Sequence, residues 1–436
     1  MDSANKIRAV RGVRDILPPD TALWNWFERA ARDVLEAYNF REIRLPIFEE
    51  TELFARSVGA ETDIVSKEMY TFTDRDETAI SLRPEATASV VRAYIEHGMH
   101  TWPGLVKLYY SGPMFRRERP QKGRYRQFYQ IGAEVLGPSD HPAIDAEMIE
   151  MLIALIERCR LDQWALLVNS IGDPQCRPAY VALLKDELRK VKDRLGPDSQ
   201  RRIDTNPLRV LDSKLPEEQA VIEALPRITD HLCKGCRAHF VELRRQLDLR
   251  SVPYRHEPRL VRGLDYYVRT TFEITSPHLG AQNALAGGGR YDGLAELLGG
   301  PPAKGVGFAL GEDRFIEVIQ AGGQIDVARP LDAFIVWMGQ PAYPAAARLA
   351  RRLRLEGLSI ELPPEESKLK KALGLAERLG AQFAVIVGEK EVAAGEYAVK
   401  RLADGLQRSL AEGDVAGFVK SSGKAARPAE SPAAKS

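Results

Sequence analysis

Arg262-Gly263-Leu264-Asp265-Tyr266-Tyr267 places a cation, a glycine, a carboxylate and two phenols in six consecutive positions. Val268-Arg269-Thr270-Thr271-Phe272-Glu273 follows directly, a run of β-branched and aromatic residues that reads as a strand. A guanidinium can clamp a phosphate and a phenol can hydrogen-bond a polar ring, so the cluster points to a ligand. An exposed turn before an ordinary strand would explain the hexapeptide equally well if it stood alone. A second concentration lies upstream. Leu105–Tyr110 is apolar, 112–126 is basic and contains glycine, and Gln127–Glu134 is aromatic, which together describe a hairpin. Gln130, Gly132 and Glu134 alternate along its return strand, so Gln130 and Glu134 point the same way. Gly287-Gly288-Gly289 would let a backbone approach a ligand closely, but no P-loop lysine accompanies the run. Cys233-Lys234-Gly235-Cys236, flanked by His231 and His239, is a single C-x2-C without a second pair at finger spacing, and the sequence assigns no metal.

These groups must be carried by more than one core. A chain of 436 residues exceeds a single hydrophobic core, so two or three domains are expected. With 44% hydrophobic and 28% charged residues the composition is that of a soluble globular protein, and no apolar run reaches membrane-spanning length. Met1-Asp2-Ser3-Ala4-Asn5-Lys6 lacks the apolar core of a secretion signal, and four cysteines are too few for a disulfide framework. A cytoplasmic location is expected. The net charge of +1 is neutral on nucleic acid, because a local basic patch suffices to bind phosphates.

Asp20-Thr21 offers helix caps, and Leu23, Phe27, Ala30, Val34 and Tyr38 give 21–38 one apolar face. Residues 40–48 read as a strand interrupted by Pro46, suited to an edge. Tyr70–Asp74 and Ala79–Leu82 read as two strands, and Arg83-Pro84-Glu85-Ala86-Thr87 opens a helix. A helix is expected over 143–161 and a strand over 166–172. From 176 to 250 the texture changes to mixed-charge helices such as 181–195, set between two halves of a sheet. After a boundary near 327–330, alternating strands and helices (332–337, 344–356, 359–362, 367–379, 383–388, 397–400 and a last helix) predict a small α/β domain with a mostly parallel core. Residues 421–436 are Ser, Gly, Lys, Ala and Pro in composition and are expected to be disordered.

The motifs together resemble those of histidyl-tRNA synthetases. The helix and proline-broken strand are similar to motif 1 of the class II synthetases. Phe115-Arg116-Arg117-Glu118 and Arg119-Pro120-Gln121-Lys122-Gly123-Arg124-Tyr125-Arg126-Gln127-Phe128 match motif 2 of the histidyl branch nearly residue for residue. The opening hexapeptide and Gly287-Gly288-Gly289-Arg290-Tyr291 match the two histidyl signatures. Lys304–Arg314 resembles motif 3, with Asp313 where the family more often has glutamate.

The resemblance implies a class II α+β catalytic domain with a mostly antiparallel sheet in two parts (1–175 and 251–326). It also implies a helical insertion (176–250) that holds the tRNA acceptor stem, and an α/β anticodon-binding domain (331–420). It implies that Arg116 grips the α-phosphate and the substrate carboxylate, that Arg262 reaches the α-phosphate from the opposite side, and that Arg314 holds the γ-phosphate. Glu118 and Arg124 would contact ATP, which enters with Mg2+, and Gln121, Lys122 and Arg126 would meet the tRNA. Glu85 and Thr87 would hold the amino group of histidine, although the same pair could simply cap a helix. Glu134 would accept from one imidazole N–H and Tyr267 would serve the other ring nitrogen, with Gln130, Tyr266 and Tyr291 completing the pocket. The implied activity is two-step charging of tRNA(His) by a homodimer. The alternative from another class is a non-catalytic, synthetase-like regulatory subunit of ATP phosphoribosyltransferase, which typically lacks the tRNA-contacting parts present here.

Overall fold

The computed structural model describes residues 7–59, 62–120, 123–280, 283–322, 325, 327 and 331–423. The chain divides into two compact units, Met1–Val327 and Ala328–Ser436.

In chain order the strands of the first unit are β1 (Arg41–Glu42), β2 (Phe48–Glu50), β3 (Tyr70–Thr73), β4 (Ala79–Leu82), β5 (Val106–Phe115), β6 (Gln127–Gly137), β7 (Ala165–Ser170), β8 (Arg255–His256), β9 (Val268–Thr275), β10 (Ala284–Arg290) and β11 (Lys304–Gly311). Eight of them form one sheet in the order β1-β5-β6-β11-β10-β9-β7-β8, and β2-β4-β3 form a second. Only the outermost pairs of the large sheet, β1 with β5 and β7 with β8, are parallel. The interior pairs are antiparallel. The single strand expected over 40–48 is instead two short ones in different sheets. Pro46 has no N–H to continue a ladder, and buried Arg83 turns its Nη1 to the carbonyls of Leu45 (3.1 Å) and Pro46 (3.3 Å) where the strand breaks.

Alternation along the strands sorts side chains between two cores. On β6, Ile131, Ala133 and Val135 join Phe272 and Ile274 of β9 and Val306, Phe308 and Leu310 of β11 on one face. Helices Asp20–Ala37, Pro142–Arg158, Lys234–Leu249 and Glu312–Gly322 cover that face. Each fully buried Phe or Leu there contributes about 1.5–3 kcal/mol. The helix Asp20–Ala37 buries Leu23, Trp24, Phe27, Ala30, Ala31 and Leu35, while Val34 and Tyr38 are only half-buried. Asp20 lies in the first turn rather than capping it, where its charge suits the helix dipole.

The opposite face packs helix Thr87–Glu96 and the helical segment, whose Tyr180, Leu184, Leu188, Val210 and Ile222 share a core with Tyr266, Tyr267 and Tyr291. The first helix of the segment is Arg177–Lys190, where 181–195 was expected. Its last helix, Lys234–Leu249, sends Phe240, Leu243 and Leu247 into the first core, so the segment is anchored on both faces of the sheet.

In the second unit β12 (Leu331–Trp337), β13 (Ile360–Glu361), β14 (Ala381–Val387), β15 (Glu396–Arg401) and β16 (Gln407–Ala411) form a sheet in the order β13-β12-β14-β15-β16. The first three are parallel, and β15, expected over 397–400, makes an antiparallel hairpin with β16, which was not expected. Asp404-Gly405 in its turn, with Gly405 at φ +76°, was the available signal. The last helix, Val415–Gly423, takes in 421–423, which the composition had assigned to the tail. Residues 424–436 lie outside the described residues.

Candidate active site

Antiparallel register lays the site across four strands. Glu134 pairs with Gly307, and Gly307 with Gly289 on the next strand. Gly287 of the same strand pairs with Glu273. The glycines are required by their neighbours. A Cβ on Gly307 would collide with the Glu134 carboxylate, one on Gly305 with the Tyr291 ring, and one on Gly287 with the Arg262 guanidinium. Gly287 was read with its neighbours as room for a ligand; all three glycines first make room for side chains of the site.

Glu134 is 1% exposed. Its Oε1 accepts from the Thr87 hydroxyl at 2.7 Å and its Oε2 from the Tyr291 hydroxyl at 2.6 Å. Burial, reinforced by the charge of Glu85, raises its pKa from 4.5 to about 8, against the pull of those two hydrogen bonds. Glu85 accepts from the backbone N–H groups of Thr87 (2.7 Å) and Ala88 (3.0 Å), so it does cap helix Thr87–Glu96. Each carboxylate oxygen retains a second lone pair, and capping leaves it able to meet an ammonium. The Tyr266 ring packs at a tilt against Tyr267 (ring centroids 4.7 Å) and edge-on against Tyr291 (5.8 Å). The Oε1 of Gln130 is buried without a hydrogen-bond partner among the described residues.

The predicted arginines are linked through two carboxylates. Glu118 lies 4.0 Å from the Nη1 of Arg116 and 2.9 Å from the Nη1 of Arg124. Glu273 lies 3.3 Å from the Nη1 of Arg262. Arg314 senses both groups: burial, then Arg124, lowers its pKa, and the charges of Glu118 and Glu273 oppose that shift. It also donates to the Ala284 carbonyl at 2.6 Å. Arg116 is oriented by the Pro84 carbonyl (2.9 Å) and the Phe128 ring. The Arg262 Nε is buried without a partner among the described residues. Arg126 donates from Nη1 to the Arg11 carbonyl of the N-terminal segment at 3.2 Å. Gln121 and Lys122 lie outside the described residues.

The contacts of three residues were not legible in the sequence. Tyr110, on β5 opposite Gly132, has its hydroxyl buried on the Glu134 side of the sheet. Its even-numbered place on an alternating strand was the signal. Asp313 accepts from Arg14 (2.7 Å) and from the Tyr129 backbone N–H (3.1 Å), so the carboxylate read as a family departure ties helix Glu312–Gly322 to β6. Arg290 is fully buried and paired with Asp145 and Asp292. No local pattern announces a partner 145 residues away.

A carboxylate and phenols beside a row of guanidiniums suit a polar ring joined to a polyphosphate. A family model described as histidyl-tRNA synthetase matches residues 12–314. The chain belongs to the histidyl-tRNA synthetase family. A second model, an anticodon binding domain, matches 332–422. The histidine–tRNA ligase of Koribacter versatilis is 55% identical over 96% of this chain and 97% of its own length. That of Solibacter usitatus is 54% identical over 94% and 98%. Among solved structures, the apo histidyl-tRNA synthetase of S. aureus superposes with a TM-score of 0.80 at 38% identity, covering 95% of this chain and all of that one. This histidyl-tRNA synthetase fold is the expected class II one: an α+β sheet domain with helices, followed by an anticodon-binding domain.

Proposed function

We propose that the chain is a histidine–tRNA ligase that activates histidine with ATP and passes it to tRNA(His). The observation that carries the reading is Glu134, held between Thr87 and Tyr291 on the same sheet face as the arginine row. A site that satisfies an imidazole N–H with a buried acceptor rejects side chains lacking it, because the acceptor would be left unpaired. Tyr267 serves the second ring nitrogen, with Tyr266, Gln130 and Tyr291 enclosing the ring, and Glu85 and Thr87 receive the ammonium.

The substrate carboxylate attacks the α-phosphorus in line, the bond to the bridging oxygen breaks, and pyrophosphate leaves. Arg116 and Arg262 stabilise charge on the α-phosphate from opposite sides, and Arg314 holds the γ-phosphate. ATP is the family's substrate; Mg2+ would enter on its phosphates, and Glu118 and Glu273 have the hard oxygen donors that fit it. In the second step the terminal ribose hydroxyl attacks the acyl carbon and AMP departs. Glu118 and Arg124 position ATP, while Gln121, Lys122 and Arg126 approach the acceptor end.

The same reading divides the chain by role. Residues 1–175 and 251–326 carry catalysis, 176–250 support the acceptor stem, and 331–420 read the anticodon, with exposed Lys368, Lys370, Lys371 and Arg378 available to its phosphates. Exposed Ile47 and Phe48, beside the edge strands β1 and β2, favour a homodimer formed there. No helix among the described residues is long and apolar enough to cross a membrane, and we place the enzyme in the cytoplasm. The regulatory-subunit alternative is not favoured by relatives that carry the ligase name over nearly the whole chain. Histidine-dependent exchange of pyrophosphate into ATP, followed by charging of tRNA(His), tests the proposal; exchange with no amino acid, or equally with several, would refute it.

A further inference from the structure

The fold brings two further ligand-type residues to the cysteine pair that the sequence left without a metal. One ligand atom each from Asp173, Cys176, Cys233 and Cys236 lies within 4.8 Å of all the others. They come from separate parts of the chain. Asp173 follows β7, Cys176 immediately precedes helix Arg177–Lys190, and Cys233 and Cys236 open helix Lys234–Leu249. The Asp173 Oδ1 lies 3.5 Å from the Cys176 Sγ and 4.0 Å from the Cys233 Sγ. The other oxygen, Oδ2, is 3.6 Å from the Nη2 of Arg269, which leaves Oδ1 turned toward the sulfurs. Gly172, at φ +67°, makes the approach feasible, since a Cβ there would stand 2.8 Å from the Cys176 Sγ. The flanking histidines stay outside the group: His231 packs on Tyr180, and His239 is not among the converging ligands.

We propose that Asp173, Cys176, Cys233 and Cys236 form a structural Zn2+ site. Zinc–sulfur bonds of about 2.3 Å and zinc–oxygen bonds of about 2.0–2.2 Å put tetrahedral ligands roughly 3.5–3.8 Å apart, a small contraction of the observed cluster. Three soft sulfurs with one carboxylate select zinc over magnesium or calcium. Four protein ligands close the coordination sphere, which makes the site structural rather than catalytic. On binding, the three thiols release their protons to solvent and bond as thiolates. A disulfide would employ only two of the sulfurs and leave the third, with Asp173, unexplained.

The location gives the ion a purpose. It would clip the first and last helices of the inserted segment to the sheet immediately behind the first histidyl signature. Arg177, beside Cys176, donates to the Tyr267 carbonyl at 2.6 Å. The Arg269 backbone exchanges hydrogen bonds with Ile171 (2.8 Å) and Gly172 (2.7 Å). Asp173 thus directly follows Gly172, which is bonded to the backbone two residues beyond Tyr267. The proposal does not depend on the ligase reading.

The test uses the full chain, purified with a phosphine reductant and no chelator, with metal measured by plasma mass spectrometry. The expected content is ~1 zinc per chain, released when a mercurial titrates the thiols. Cys159→Ala, which alters the cysteine outside the cluster, should retain the metal. The double variant Cys233→Ser/Cys236→Ser should fall at least tenfold in zinc. If that variant does not fold, the wild-type chain is stripped with a strong chelator and refilled; melting temperature should drop on removal and return with Zn2+ but not with Mg2+. A reduced chain that holds less than a tenth of an equivalent and takes up none on dialysis against zinc overturns the proposal. So does full zinc content in the double variant.

Discussion

The Tyr291 hydroxyl donates to the Oε2 of Glu134 at 2.6 Å, joining the second glycine-rich signature to the strand that returns from the basic hairpin. The bond stabilises the charged carboxylate and aims it. Tyr291→Phe keeps the ring and removes the donor, so its cost should fall on histidine: above about pH 8, where the carboxylate is charged, the hydrogen bond is worth about 1.5–3 kcal/mol, or roughly 10- to 100-fold in kcat/KM for histidine, and less at lower pH. The KM for ATP should stay within about threefold. Equal losses for both substrates in a steady-state exchange assay would show that Tyr291 acts through the fold rather than on Glu134.

Glu134 also makes stability depend on pH. The unfolded carboxyl releases its proton near 4.5, whereas the folded one holds it up to about 8 because burial and Glu85 disfavour its charge. As pH rises through that window the unfolded state binds fewer protons than the folded one, so this group's contribution to stability falls. Glu134→Gln does not titrate. Its melting temperature relative to wild type should therefore increase between pH 5 and 8, while histidine activation falls by about two orders of magnitude or more. Parallel melting profiles for the two proteins would contradict the assignment.

Gly307 sits opposite Glu134 in the ladder, and its substitution should be far costlier than its size suggests. A Cβ would strike the Glu134 carboxylate and approach the Ala133 carbonyl to 2.7 Å. Gly307→Ala should cost about 1–3 kcal/mol by overpacking and depress histidine activation. Gly322→Ala, with nothing within 4 Å, should stay within about 0.5 kcal/mol of wild type. Chemical denaturation of both variants distinguishes the cases; equal stability would mean that the sheet relaxes around the new methyl.

Asp313 and Arg14 should be coupled. The carboxylate is 6% exposed and the guanidinium 40%, and Asp313 also accepts a backbone N–H from Tyr129. Asp313→Ala should therefore cost more than Arg14→Ala, about 1–3 kcal/mol against under 1, because only the former leaves a buried donor unpaired. A double-mutant cycle with zero coupling energy would remove the proposed tie between the N-terminal segment and the motif 3 helix.

What the sequence disclosed was set by range. Strands β5, β6 and β9 and the helix Asp20–Ala37 announce themselves through alternation or helical spacing, which are local properties. The expectation that Glu134 and Gln130 share a face needed only the two-residue period of one strand. Register across strands has no local signature, so the function of Gly287 and Gly307 as hollows for Arg262 and Glu134 was not legible. The break at Pro46 depends on Arg83, and the pairing of Arg290 with Asp145 on a contact between distant segments. Cys176 and Asp173 could not be joined to Cys233 and Cys236 without knowing that two helices begin at the same place.

The central claim is that guanidiniums distant in sequence converge on one triphosphate beside a pocket that reads imidazole, and Arg262 offers its sharpest test. The direct measurement is histidine-dependent ATP–pyrophosphate exchange by Arg262→Ala, with melting temperature recorded on the same preparation to exclude unfolding. The account predicts a loss of about two to three orders of magnitude in exchange, in the range found when a preorganised charge-stabilising donor is removed, in a chain that remains folded. A folded variant that exchanges within a few-fold of wild type would contradict it.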